Sequence, residues 1–200
     1  MVDEFPGEFP DVDAAENAWR PQFRKYNQTL RALRAGLGLT VDSDKYWEVT
    51  RGDPGELLSV NTEALKVLQA VTKKHPALKK VILTNCAEKQ AKECLKVLGL
   101  LDFFDAVYGA DTMGAEMCKP ELNAFDRIKN LAGFEYTKTV FFEDSVKNLA
   151  AAKELGMTCV LIKSETTREE GTRDDGFAPD HVIDAVTLSE IERILPGLLL

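Results

Sequence analysis

The chain reads as an α/β protein, a Rossmann-like, doubly wound parallel sheet with a small helical region in front of it. Two observations predict this. From about residue 61, short β-branched runs alternate with segments of helical periodicity, giving five strand-like runs, the pattern of a parallel sheet built from crossover units. Before that point helical periodicity appears without any strand pattern.

In residues 1–60, Trp19, Phe23, Tyr26, Leu30 and Leu33 recur at helical spacing, and Tyr46, Trp47, Leu57 and Leu58 continue an aromatic-rich helical stretch. This predicts a partial helical cap over the strand ends, with residues 61–200 as the α/β core; a helical hairpin packed elsewhere on the sheet is the alternative. In the core, Asn61 is placed to cap a helix carrying Leu65, Leu68 and Val71, which Pro76 ends. Lys79-Lys-Val-Ile-Leu-Thr-Asn85 then reads as a buried parallel strand with a polar end. A helix with Ala91, Cys94, Leu95 and Leu98 on one face follows, stopped by Gly99.

Residues 105–109 form a weaker strand, and Pro120 suits the first turn of a helix carrying Phe125, Ile128 and Leu131 up to Gly133. Residues 139–143 are the next strand, followed by a helix to Gly156 and a strand over 158–163. The charged stretch 164–179 reads as a solvated loop, 181–186 as the last strand, and Thr187 with Glu190 as a capping box for a final helix.

A formal net charge of -8 provides no electrostatic footprint for nucleic acid or an anionic membrane, and no apolar run approaches the length of a membrane span. Cys86, Cys94, Cys118 and Cys159 lie far apart without CxxC spacing, which points to reduced, packed thiols in a cytoplasmic protein rather than to a zinc site. The sequence does not speak to oligomeric state.

Chemistry concentrates where an α/β sheet places it, beyond the strand C-termini. Thr84-Asn85 ends one strand, Lys119 precedes a helix start, and Glu143-Asp144 ends another strand in TVFFEDSVKN. A hydroxyl, an amide, a cation and a carboxylate pair form an inventory for holding a phosphate and Mg²⁺. Each piece also has a plainer reading: Thr-Asn as a turn and cap, Lys119 as a solvated surface lysine, Glu143-Asp144-Ser145 as a helix start favoured by the dipole.

In order and spacing, VILTN, Lys119 in CKPELNAF and TVFFEDSVKNLAAAKELGM resemble three motifs of the haloacid dehalogenase-like hydrolase superfamily. With YNQTLRALRAGLGL, the chain is most similar to the pyrimidine 5′-nucleotidase branch, over roughly residues 16–190. The resemblance implies a Mg²⁺-dependent phosphohydrolase of small phosphomonoesters working through an aspartyl-phosphate. It assigns Thr84 and Asn85 to the phosphoryl group, Lys119 to charge neutralisation, Glu143 and Asp144 to the metal, and Ser145 and Asn148 to bracing the loop.

The family's first motif, DxDx[TV], supplies the nucleophile and the acid that protonates the leaving group. The motif should precede the cap, and there only Asp11-Val-Asp13 has the spacing, behind Phe5-Pro-Gly-Glu-Phe-Pro, where two prolines forbid a buried strand. That segment is expected to be an acidic helix entry, the chain a truncated member lacking the motif-bearing strand, and the sheet gapped at its centre or closed up. The expected function is an impaired phosphatase; the alternative is a catalytically dead relative that still binds phosphate and Mg²⁺. A phospho-receiver domain fits poorly because Thr84 and Lys119 precede the acid pair, and no GxGxxG supports a dinucleotide site.

Overall fold

The computed structural model describes residues 1, 3–164 and 176–199 and divides into two compact units, Met1–Gly52 and Asp53–Leu200. Most of the charged segment expected to be a solvated loop, 165–175, lies outside the described residues.

The first unit is helical among its described residues. Helix α1, Val12–Tyr26, opens with the Asp11 carboxylate accepting a 2.7 Å hydrogen bond from the Ala14 amide. It closes at Asn27, whose φ of 55° is the left-handed conformation that asparagine tolerates. The periodic run from Trp19 to Leu33 is therefore not one helix. It breaks at Asn27 and resumes as a single turn, Thr29–Arg31, passing into a π-helix at Ala32–Gly36. Trp19 and Phe23 keep their helical neighbourhood, with ring centroids 4.9 Å apart. Helix α2, Ser43–Arg51, is capped by Asp42 and buries Trp47.

The second unit alternates strands and helices. In chain order it runs through α3 (Thr62–Lys74), β1 (Val81–Leu83), α4 (Glu88–Val97), β2 (Ala106–Tyr108), α5 (Leu122–Ala132), β3 (Val140–Glu143), α6 (Val146–Glu154), β4 (Thr158–Ile162), β5 (His181–Ile183) and α7 (Leu188–Ile194). Every strand pairing is parallel, as the alternation predicts. The strands form two sheets: β1 pairs with β2 alone, and β3-β4-β5 form the other. The gapped alternative is thus the one adopted, with β1 and β3 unpaired to each other.

Strand alternation sorts the core onto two faces. Cys159 and Leu161 of β4 pack with Phe125 of α5 and with Val146, Leu149 and Ala152 of α6. Val160 points to the other face, joining Val67 and Val71 of α3, Ile183 of β5, and Ile191 and Ile194 of α7. Helices on both faces of a parallel sheet are the doubly wound arrangement.

Local readings need four adjustments. The buried stripe of α3 is Ala64, Val67 and Val71. That of α5 is Ala124, Phe125, Ile128 and Ala132, leaving Leu131 57% exposed because it lies about two thirds of a turn from Phe125. Pro120 sits in the turn before α5, which starts at Leu122 with Glu121 as its N-cap. The capping box on α7 is half made: Thr187 accepts from the Glu190 amide at 3.3 Å, but the Glu190 carboxylate pairs with Arg193. The Asn61 cap of α3 forms as read, through a 3.0 Å bond from the Ala64 amide.

No helix among the described residues is long and apolar enough to cross a membrane. None of the four cysteines forms a disulfide among the described residues, and burial pushes the Cys159 thiol up to about 11, which makes it an inert core group.

Candidate functional site

The polar strand ends meet around Lys119. Thr84 continues β1 by donating its amide to the Tyr108 carbonyl at 3.0 Å, and its hydroxyl accepts from the Cys86 amide at 3.1 Å. That local turn bends the chain off the strand and leaves Asn85 pointing at the loop before α5. There the two ends of the Asn85 carboxamide clamp the Lys119 main chain: Nδ2 donates to its carbonyl and its amide donates to Oδ1, both at 2.9 Å. A carboxamide holding both main-chain groups of one residue fixes that residue's position and leaves its side chain to act elsewhere.

The Lys119 side chain reaches the end of β3, where its ammonium donates to Glu143 Oε2. The side chains of both partners are 9% exposed. The ammonium also lies 5.6 Å from the Phe141 ring centroid, a cation–π contact across the strand. Glu143 Oε1 accepts from the amides of Asp144 and Ser145 at 3.2 and 3.3 Å, at the start of α6, where the helix dipole favours negative charge. The plain reading of Lys119 as a solvated surface lysine is therefore incorrect. It is buried, paired with an acid and tied by its backbone to the neighbouring strand end.

Asp144 points to a partner that sequence reasoning did not find. Ser164, just beyond β4, donates its hydroxyl to Asp144 Oδ2 at 2.9 Å. A serine after a strand carries no distinguishing sequence signal, so only the β3–β4 register brings it beside the acid. Ser145 is buried as the N-cap of α6, but its side chain makes no capping bond. Asn148, one helical turn after Asp144, is 7% exposed, and its Oδ1 is buried without a hydrogen-bond partner among the described residues. A buried acceptor left open calls for a water or a cation.

The donors around Asp144 are hard oxygens, the kind Mg²⁺ takes when one or two carboxylates share it with substrate phosphate and water. Glu143 is already engaged by an ammonium and two amides, so of the acid pair Asp144 is the better ligand. Among the described residues no group of three His, Cys, Asp or Glu side chains could hold a metal by itself. The arrangement fits a cation that shares its coordination with a bound ligand. Asp11 and Asp13, the DxD spacing read ahead of the cap, sit at the start of α1, with Asp11 acting as its cap.

The profile of the haloacid dehalogenase-like hydrolase family matches residues 8–156. The chain is 28% identical over 137 residues to a phosphoglycolate phosphatase of Pseudomonas syringae pv. tomato, covering 68% of this chain and 45% of that protein. It is 30% identical over 109 residues to a phosphoglycolate phosphatase of Neisseria gonorrhoeae, covering 53% and 44%. The crystal structure of a HAD phosphatase from Thermococcus onnurineus superposes with a TM-score of 0.57 at 29% identity, over 84% of this chain and 70% of that one. The chain thus spans less than half the length of these two curated relatives. The family match across most of the chain, the parallel α/β architecture and the clamped lysine at the strand ends lead to one conclusion: this chain belongs to the haloacid dehalogenase-like hydrolases.

Proposed function

We propose that the crevice at the C-terminal ends of β1 and β3 binds a small phosphomonoester together with Mg²⁺, and that this chain by itself hydrolyses it slowly or not at all. The observation that carries the reading is the buried Lys119 ammonium, held by Asn85 and Glu143 where two strand ends meet. A lysine so far withdrawn from water must face anions. Thr84 brings a hydroxyl, and Asn85 a main-chain N–H, to the same strand end for the phosphoryl oxygens.

Asp144, oriented by Ser164, is the residue we assign to Mg²⁺, with Asn148 Oδ1 as a further oxygen. Bound there, Mg²⁺ would draw charge from the phosphoryl oxygens. Glu143 acts as counter-ion to Lys119 and, through the Asp144 and Ser145 amides, as organiser of the loop. Ser145 and Asn148 hold the loop from the first turns of α6.

Impaired turnover follows from the carboxylates at hand. Hydrolysis through a phospho-enzyme needs an acid free to attack phosphorus. Glu143 is tied to Lys119, and Asp11 caps a helix. The branch resemblance suggests a pyrimidine nucleoside monophosphate as substrate, and the names of two relatives make phosphoglycolate the second compound to assay. The acidic composition and the cysteines outside any disulfide among the described residues suit a cytoplasmic setting.

The test is hydrolysis of p-nitrophenyl phosphate in Mg²⁺ beside thermal denaturation with inorganic phosphate. Mg²⁺ with phosphate should raise the Tm by a few degrees, and turnover should not exceed that of Asp144→Asn. Turnover lost in Asp144→Asn would overturn the impairment, and an unchanged Tm would overturn the binding itself.

A further inference from the structure

The pairing of β1 with β2 does not stop where the strands do. Beyond Leu83, the Thr84 amide donates to the Tyr108 carbonyl at 3.0 Å and the Ala110 amide to the Cys86 carbonyl at 2.9 Å. There the two main chains turn into helix starts, α4 at Glu88 and the short helical turn Ala110–Met113. Two carboxylates take over from the ladder and cross in opposite directions. Asp111 Oδ2 accepts from the Glu88 amide at 2.8 Å. Glu88 Oε1 accepts from the Gly109 and Thr112 amides, both at 3.1 Å, and from the Thr112 hydroxyl.

Each helix start therefore has open N–H groups met by an acid from the other. Neither start caps itself, because its N-cap residue, Ala87 or Gly109, has no polar side chain. The approach also requires the glycine, since a Cβ on Gly109 would lie 2.5 Å from the Cys86 carbonyl oxygen. Residues 86–88 are thus clasped against the end of β2 from both sides.

This clasp reaches the strand-end site through Thr84, whose hydroxyl accepts from the Cys86 amide at 3.1 Å. A hydroxyl has one proton to give and two lone pairs to offer. With a lone pair taken by Cys86 and no acceptor for the proton among the described residues, the Thr84 hydroxyl is oriented as a donor. That is the polarity a phosphoryl oxygen needs. Released from Cys86, the same rotor would turn freely and lose the preference.

We propose that Glu88 is a positioning residue for phosphate binding, holding residues 86–88 so that the Cys86 amide keeps the Thr84 hydroxyl aimed as a donor. The inference rests on the phosphate site proposed above and adds to it a residue outside the strand-end clusters. A purely stabilising clasp would weaken binding whether or not Thr84 carried a hydroxyl. Coupling through Thr84 makes the effect depend on that hydroxyl.

The test is a double-mutant cycle, with inorganic phosphate titrated calorimetrically into the full chain in Mg²⁺. Glu88→Ala should raise the phosphate Kd about tenfold. Glu88→Gln, which keeps an oxygen for the Gly109 and Thr112 donors, should recover most of that loss. In a Thr84→Val background, Glu88→Ala should change the Kd by less than about twofold. Asp111→Ala removes the other half of the clasp from an exposed position, should act in the same direction, and serves where Glu88→Ala folds poorly. Equal weakening in both backgrounds, or no weakening by either alanine variant, would overturn the inference and leave the phosphate site standing. No phosphate binding by the unaltered chain would overturn both.

Discussion

The ion pair between Lys119 and Glu143 links stability to the phosphate site we propose. Taking two charges out of water is costly, and removing one partner leaves the other buried and uncompensated, at roughly 3–5 kcal/mol. Glu143→Gln should therefore lower the urea midpoint strongly. Replacing both, as Lys119→Met with Glu143→Leu, should recover most of that loss by the same argument while abolishing phosphate binding through the lost ammonium. Urea unfolding and phosphate-dependent thermal shifts on the three proteins check this; a double variant as unstable as the single one would contradict it. Gly109 is a second sensitive position, because a Cβ there would lie 2.5 Å from the Cys86 carbonyl oxygen and 3.1 Å from the Glu88 amide. Gly109→Ala should cost about 1–3 kcal/mol by overpacking against main chain that has nowhere to move, read from the same urea curves.

At the scale of elements, two carboxylates tie strands to their neighbours. Asp180 receives the Cys159 amide at 2.8 Å and pairs with Lys153, joining the start of the β4–β5 ladder to α6. The Lys153 hydrogen bond, helped by the Cys159 amide, holds its carboxyl below the ordinary 3.8. Burial pushes Glu88 up, but the Thr112 hydroxyl with the Gly109 and Thr112 amides outweighs it, and the carboxyl sits below its ordinary 4.5. Groups lowered on folding stabilise fully above their unfolded values and lose that contribution as pH falls through the folded ones. The urea midpoint should hold from neutral pH down to about 5 and drop below about 4, less steeply in Asp180→Asn and Glu88→Gln. A midpoint independent of pH across that range would rule out this linkage.

Strands β1 to β5 and the order of the polar clusters were legible because apolar runs with polar ends depend on local pattern. The break at Asn27, the exposure of Leu131 and the half-made cap at Glu190 were not, since each depends on which neighbour the side chain meets. The Asn85 clamp and the Ser164 bond join residues 34 and 20 positions apart, and nothing local to either marks its partner.

Over the whole second unit, the two sheets are linked at their polar end by side chains instead of a ladder. Asn85→Ala should therefore speed amide exchange in β1 and β2 more than in β4 and β5, and uniform acceleration would contradict that division. The same link places a cation and an acid pair together at the strand ends, where we propose that phosphate and Mg²⁺ bind. Calorimetric titration of Mg²⁺ into the full chain with inorganic phosphate present, against the Asp144→Asn variant, tests the central claim most directly. Saturable heat that needs phosphate and vanishes in the variant is the predicted result; heat unchanged by Asp144→Asn, or none in the unaltered chain, would contradict it.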